Sequence, residues 1–234
     1  MTQRDTPAGV GATGAATEPS TRVTRILLAC GVAAGPLYVL LGLVQALTRE
    51  GFDLRRHELS LLANGELGWI QIANLVVSGL LVVVAAVGMR RVLRPGRGGT
   101  WGPRLVGGYG VGLIAAGVFV ADPAYGFPPG APPGLPERAS WHGVLHFVTA
   151  GLGFVSLIAA CLVVAGWFAA RRQLGWAAYS VATGVAFFAA FVGIASGSGN
   201  QVVNVGFGIA VLLGWAWVSA VATRLTAELA DRTR

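Results

Sequence analysis

Lysine is absent from this 234-residue chain, and only 12% of its residues are charged. Soluble domains carry about a quarter charged residues, so an ordinary water-exposed surface is excluded. Cysteine occurs only twice, at Cys30 and Cys161, and both lie in apolar runs. This argues against a disulfide-stabilised secreted fold and favours two small buried side chains.

The signatures of common soluble enzymes are also missing. The sequence has no Walker loop, no nucleophile elbow and no pair of carboxylates within an apolar run. The net charge of +7 does not predict nucleic-acid binding, because the arginines lie at the ends of apolar runs and no basic face with exposed aromatic residues accompanies them.

Long apolar runs are what the sequence has in abundance, and 54% of its residues are hydrophobic. A helix needs about 20 apolar residues to cross a hydrocarbon core of about 30 Å. Six such runs occur, near residues 24–48, 68–89, 105–121, 142–168, 176–195 and 202–222. They predict an all-α fold, an integral membrane bundle of six transmembrane helices.

The arginines predict the orientation of this bundle. Thirteen of the 17 lie in the two terminal segments and in the second and fourth loops, so the positive-inside rule puts both termini in the cytoplasm. The expected divisions are a disordered cytoplasmic tail at residues 1–22, a membrane domain at 23–223 and a short cytoplasmic tail at 224–234. The absence of lysine and the abundance of Ala, Gly and Val are typical of a GC-rich bacterial genome, and we therefore expect a bacterial plasma membrane.

The three longest loops differ in character. The second, "RRVLRPGRGGTWGPR" from Arg90, is predicted to lie against the anionic lipids of the inner leaflet, and its arginines are Arg90, Arg91, Arg94, Arg97 and Arg104. The first contains "LSLLA", which is expected to form a short helix resting on lipid or on the mouth of the bundle. The third holds six of the eleven prolines and is predicted to be a stiff cover without helix or strand.

Polar residues inside the apolar runs concentrate at the ends predicted to face outward. The main candidates are Gln45, Gln71, Asn74, Asp122, His142, His146, Asn200 and Asn204. Intramembrane polar groups cost free energy unless they are paired, so this pattern predicts a shared hydrogen-bonded or hydrated cluster. The cluster either locks the helices together or forms a pocket for a small molecule or a lipid headgroup.

The stretch "SWHGVLHF" places His142 and His146 four positions apart, which is the spacing of two metal ligands on one helix. Asp122 is the best candidate for a third ligand of zinc or a similar divalent ion, and His57 and Glu58 come next. The alternative is that both histidines face inward and bond to Asp122, Asn74 or Asn204. No glutamate of the HExxH type lies between them, and no other cofactor is predicted.

One longer pattern resembles a known family. The run "RHELSLLANGELGWIQIANLVVSGLLVVVAAVGMRR", followed by "ADPAYGFPPGAPPG" and "HGVLH", is similar to the membrane family known as Domain of Unknown Function 998. The resemblance implies a multi-pass integral membrane protein and no defined activity. It includes Gln71, Asn74, Asp122, His142 and His146, and it implies that they belong to a family pattern.

Two functional hypotheses remain at this point. In the first, the protein is not an enzyme and binds a small molecule or lipid headgroup at the polar cluster, or serves as a subunit of a partner that the sequence does not identify. In the second, it is a metal-dependent membrane hydrolase in which His142, His146 and Asp122 hold the ion and activate water.

Overall fold

The computed structural model describes residues 18–94, 96–196 and 200–231. Within them the chain forms six α-helices and one short 3-10 helix. The α-helices are α1 (Glu18–Thr48), α2 (Gly68–Leu93), α3 (Arg97–Val118), α4 (Trp141–Ala170), α5 (Leu174–Ala195) and α6 (Gln201–Asp231), and the 3-10 helix is Leu59–Ala63. The described residues contain one isolated β-bridge, between Ala124 and Phe127, and no longer strand. The predicted all-α class is therefore confirmed.

Five of these helices, all but α3, are long and apolar enough to cross a membrane. Helix α3 is less apolar because it contains eight glycines as well as Arg97 and Arg104. Its glycines serve close packing instead. A Cβ on Gly112 would lie 2.7 Å from the Cα of Gly153 in α4, so the two backbones touch, as expected where helices associate in lipid through small residues.

The helices pack in a closed ring. Each one contacts its neighbours in the chain, and α6 returns to pack against α1. One end of the ring carries residues 49–67 (the first loop) and 119–140 (the third loop), and we call it the capped end. Toward the opposite end the centre is filled by fully buried large side chains such as Phe168, Trp217 and Leu225.

The second loop is much shorter than predicted. Residues Arg90 to Arg104 were expected to form it, but α2 continues to Leu93 and α3 begins at Arg97, so the connection covers only residues 94–96. Packing overrides the low helix propensity of Gly and Pro here. Glycines let the start of α3 lie against α4, where a Cβ on Gly98 would lie 2.7 Å from the indole of Trp167, and that indole donates a hydrogen bond to the Leu93 carbonyl.

The terminal helices also extend beyond their apolar runs. Of the predicted tail at residues 1–22, all but the last five residues lie outside the described part, and those five belong to α1. The predicted tail at 224–234 is helical through Asp231. Side chains of this extension are paired, since Gln173 donates to Glu228 at 2.8 Å and Arg224 lies 3.4 Å from the same carboxylate. Both cysteines are free.

Candidate functional site

The two loops at the capped end pack against each other through apolar side chains. The shared cluster consists of Ala46, Leu61, Leu62, Ala121, Ala124 and Phe127. The predicted "LSLLA" helix is confirmed as the 3-10 helix, and its Leu61, Leu62 and Ala63 are buried. Of the two surfaces on which it was expected to rest, it therefore uses the mouth of the bundle.

Arg49, directly after α1, holds the two loops of the capped end together. Its guanidinium donates to the carbonyls of Leu62 (2.5 Å) and Asn64 (2.6 Å), where the 3-10 helix ends. The same group lies 4.9 Å from the centre of the Phe127 ring in the third loop. A planar guanidinium suits this combination of two hydrogen bonds and one ring contact, so a single side chain joins α1 to both loops.

His57 makes a second connection between the loops. Its Nδ1 accepts from the backbone N–H of Asp53 at 2.9 Å, and its Nε2 lies 3.1 Å from the carbonyl oxygen of Tyr125. An accepting Nδ1 carries no proton, so the ring is neutral and Nε2–H is the donor. The ring is 3% exposed and packs beside Phe52 and Phe127. Both ring nitrogens are thus occupied, which leaves none for a metal ion.

Three of the predicted polar residues form a hydrogen-bonded chain between α1 and α2. The Gln71 side-chain oxygen accepts from Gln45 at 2.9 Å and from Asn74 at 3.2 Å. Asn74 also donates to the carbonyl of Tyr38 and accepts from Ser78. All of these bonds are buried, so the chain locks two helices together.

Asp122 and the two histidines connect the end of α3 to the start of α4. Both carboxylate oxygens of Asp122 accept from Ser140, from its N–H at 2.8 Å and from its hydroxyl at 2.5 Å. Ser140 caps α4 by accepting from the N–H of Gly143. The carboxylate therefore lies at the positive end of the α4 dipole, where a negative charge is stabilised.

The histidines complete this junction from the other side. His142 Nδ1 lies 2.9 Å from the Val120 carbonyl oxygen, and His146 Nδ1 lies 3.0 and 2.8 Å from those of Ala116 and Phe119. Carbonyls only accept, so both rings carry their donor proton on Nδ1. The last carbonyls of a helix lack partners within it, and the i, i+4 spacing supplies two donors at the end of α3.

Asn200 and Asn204 lie at the start of α6. The Asn200 side chain accepts from the N–H of Val202 at 2.8 Å, and Asn204 donates to the carbonyl of Leu54 in the first loop at 3.3 Å. The predicted residues thus fall into three groups, and no hydrogen bond found among the described residues joins one group to another.

A cavity of about 740 Å³ lies inside the ring at its capped end, lined by residues of all six helices and both loops. Its apolar part is rich in aromatic side chains, namely Tyr38, Tyr109, Phe154, Phe191, Phe207 and Trp215. Trp215 stacks on Tyr38 at 4.7 Å between ring centres. Polar lining residues come mainly from the loops, among them Arg56, Glu58, Ser60, Asp122 and Tyr125. The size is within the range of small-molecule sites.

The predicted candidates divide evenly with respect to this cavity. Asp122, His146, Asn200 and Asn204 line it, whereas Gln45, Gln71, Asn74 and His142 do not. With its proton on Nδ1, His146 retains Nε2 as an acceptor. Where the first and third loops line the cavity, burial raises the pKa of the Glu58 carboxyl. The pKa of the Tyr125 hydroxyl is raised mainly by burial and also by the nearby charge of Glu58.

Comparison with known proteins identifies the family. Residues 32–224 match the family model described as "Protein of unknown function (DUF998)". The chain belongs to the DUF998 family. The match extends from within α1 to within α6 and confirms the resemblance seen in the sequence. No curated protein and no solved structure matches the chain. Together with five apolar helices, the family match makes it a multi-pass membrane protein.

The residues predicted to hold a metal in this DUF998 protein, Asp122, His142 and His146, all lie at the junction of α3 and α4. Among the residues that the structure describes, no three His, Cys, Asp or Glu side chains converge on a common point where they could hold an ion. Asp122 already accepts two hydrogen bonds from Ser140, and both histidines direct Nδ1 at carbonyls of the α3 end.

Sequence reasoning missed Arg49 and the aromatic lining of the DUF998 cavity. A hydropathy pattern does not distinguish Tyr38, Tyr109 and Trp215 from the other residues of a membrane span. A usable signal was present, because Tyr and Trp in membrane proteins favour the two interfaces, and their hydroxyl and indole N–H groups need partners when buried. A tyrosine deep inside a span is therefore better placed facing the bundle interior.

Proposed function

We propose that this DUF998 protein binds one small amphipathic molecule of lipid type in its central cavity. The observation that supports this most directly is the cavity itself. Its wall is apolar and aromatic between the helices and becomes polar and charged at the loops, the arrangement that an amphiphile requires if its apolar part is to be buried while its polar part stays near water.

The proposal includes six spans in a bacterial plasma membrane with both termini in the cytoplasm. Helix α3 is counted as a span because its 22 residues extend about 33 Å, enough for a core of about 30 Å, and because it packs between α2 and α4. The capped end then faces outward, since thirteen of the 17 arginines belong to the other side.

On the inner side, Arg90, Arg91, Arg94, Arg97 and Arg104 are proposed to contact anionic headgroups. The side chain of Arg97 is outside the described part of the chain. Arg104 lies over the ring of Trp101 at 5.4 Å, an arrangement suited to the membrane interface, where tryptophan is enriched.

Cysteine labelling tests the orientation. In a chain whose native cysteines are replaced by alanine, Arg138→Cys in the third loop should react with a membrane-impermeant thiol reagent added to intact cells. Arg94→Cys between α2 and α3 should react only after the membrane is opened. The reverse pattern would contradict the orientation, and equal labelling of both would contradict the span count.

Two glycines of α6 provide a matched test of binding. Gly208 lines the cavity and Gly206 does not, and a Cβ on either would meet nothing within 4 Å. Gly208→Phe should fill the cavity, whereas Gly206→Phe adds the same ring elsewhere. Native mass spectrometry of protein purified in mild detergent should show a bound amphiphile in the wild type and in Gly206→Phe, but not in Gly208→Phe. Equal occupancy in all three would mean that the ligand binds outside the cavity, and no occupancy in any would contradict the proposal.

A further inference from the structure

Two charged side chains at the capped end of the cavity have no charged partner in the part of the chain that the structure describes. Arg56 is exposed and Glu58 half-buried, and both line the cavity. Neither belongs to an ion pair found among the described residues. Glu58 precedes the 3-10 helix without capping it through its side chain. Two other charged groups of these loops are engaged, since Asp53 pairs with Arg55 at 3.1 Å and Asp122 is bonded to Ser140.

The two charged side chains are close neighbours in the first loop, and both line the same cavity. Arg56 ends a turn in which its N–H donates to the Asp53 carbonyl at 2.9 Å, and Glu58 has an extended conformation, with φ −69° and ψ 145°. His57, between them, packs its ring against Phe52 and Phe127. A cation and an anion two residues apart in the chain therefore stand beside one cavity.

The chemistry of this end of the cavity differs from that of a site for a singly charged ligand. A half-buried carboxylate without a partner is destabilised by desolvation, and a neighbouring cation offsets that cost. A guanidinium suits phosphate or carboxylate, which it contacts through two parallel hydrogen bonds. A ligand that carries both charges satisfies both groups, whereas an anion alone would face the Glu58 carboxylate and a cation alone would face Arg56.

We propose that the ligand of the cavity is a single-chain zwitterionic amphiphile. Its cationic group pairs with Glu58, its anionic group pairs with Arg56, and its apolar chain extends along the aromatic wall toward Trp215. One chain is specified because a cavity of about 740 Å³ is within the range of about 300–1,000 Å³ typical of sites for drug-sized molecules. This inference rests on the proposed binding function and adds the class of ligand to it.

Four probes with hydrocarbon chains of the same length, brominated at the same position, test the inference. They are lysophosphatidylethanolamine (zwitterionic), lysophosphatidic acid (anionic), an alkylammonium (cationic) and a monoacylglycerol (neutral). Dissociation constants follow from quenching of tryptophan fluorescence, because bromine in the cavity lies near Trp215. The wild type should bind the zwitterion about tenfold more tightly than the anionic or the cationic probe, as expected from charge-assisted hydrogen bonds.

Substitutions should remove one half of this preference at a time. Glu58→Gln should weaken binding of the zwitterion about tenfold and relieve the penalty against the anionic probe. Arg56→Gln should weaken it only about threefold, since ion pairs of exposed side chains are weak, and should relieve the penalty against the cationic probe. The controls are Arg138→Gln and Glu66→Gln, which remove charges of the same two loops that do not line the cavity, and these should leave all four constants within twofold.

The outcomes separate the inference from the function on which it rests. If all four probes bind the wild type with similar constants and Gly208→Phe abolishes binding, the cavity binds amphiphiles but the headgroup assignment is wrong. The assignment is also overturned if Arg56→Gln and Glu58→Gln behave like their controls. If none of the probes binds, and Gly208→Phe resembles Gly206→Phe, the proposed function itself fails.

Discussion

The histidines of α4 should contribute unequally to stability, and the difference can be calculated from their surroundings. His146 is 4% exposed and faces two carbonyl oxygens at the end of α3. His142 faces one, and its side chain is 41% exposed. His146→Ala removes the donor from two carbonyls in a buried place, and each buried group left without a partner costs about 1–3 kcal/mol.

Partial relaxation and the modest strength of hydrogen bonds in membranes reduce this cost. We therefore expect about 2–3 kcal/mol for His146→Ala, and less than about 1 kcal/mol for His142→Ala, whose carbonyl can bond to water instead. For a chain of this size, that corresponds to about 5–10 °C and about 3 °C or less in apparent melting temperature. His146→Asn should recover part of the loss, because an asparagine amide can place an N–H near the position of Nδ1.

The assay is thermal unfolding in one detergent at a fixed scan rate, since unfolding of membrane proteins is often irreversible. A chelator added to the wild type is the essential control. If His142→Ala destabilises as much as His146→Ala, or if the chelator reproduces the loss, the histidines act through a shared ion and the assignment to α3 carbonyls is refuted.

Three further predictions concern the cap and the helix interfaces. Arg49→Lys keeps the charge but loses the bidentate contact to Leu62 and Asn64, so amide exchange in residues 59–64 should accelerate, and unchanged protection would contradict the role of Arg49. Burial raises the pKa of Glu58, so folding favours the protonated carboxyl. The free energy of unfolding should therefore fall as pH rises from the ordinary glutamate pKa through the raised one, and Glu58→Gln should flatten this part of a profile of melting temperature against pH. An identical slope in the variant would contradict the burial of this carboxyl. Gly112→Val would place a Cβ 2.7 Å from the Cα of Gly153 and should lower the apparent melting temperature by about 5 °C or more. Gly206→Val, in open surroundings, should change the melting temperature little. Equal effects would show that α3 and α4 do not touch at Gly112.

The sequence predicted the helices better than their ends, for a physical reason. Apolar length detects the part of a helix that lies in hydrocarbon, but α6 continues through Asp231, where paired polar side chains stabilise it. The start of α3 was missed because glycine and proline favour loops in isolation. The glycines at the start of α3 favour a helix because Trp167 of α4 packs directly against them. This contact between two helices is not visible in the sequence of α3 alone.

The candidate site was predicted in part. Burial cost alone indicates that polar residues near one depth must find partners, and the structure gives partners to all eight candidates. The burial cost does not indicate which partners these residues find, because any residue can offer a backbone carbonyl as an acceptor. His142 and His146 were predicted to bond to Asp122, Asn74 or Asn204, whereas their hydrogen bonds go to the carbonyls of Val120, Ala116 and Phe119. Asp122 lies 3.9 Å from His142 Nδ1.

Pairing within the protein distinguishes the ionisable groups at the capped end better than depth does. Asp122 and His57 were metal-ligand candidates, yet every oxygen of the first carboxylate and both nitrogens of the second ring are engaged within the protein. Such groups specify how helices and loops join. Arg56 and Glu58, in contrast, line the cavity and have no ion-pair partner among the described residues. A charge that is partly desolvated and unpaired destabilises the folded protein. A ligand that carries the complementary charges would offset this destabilisation.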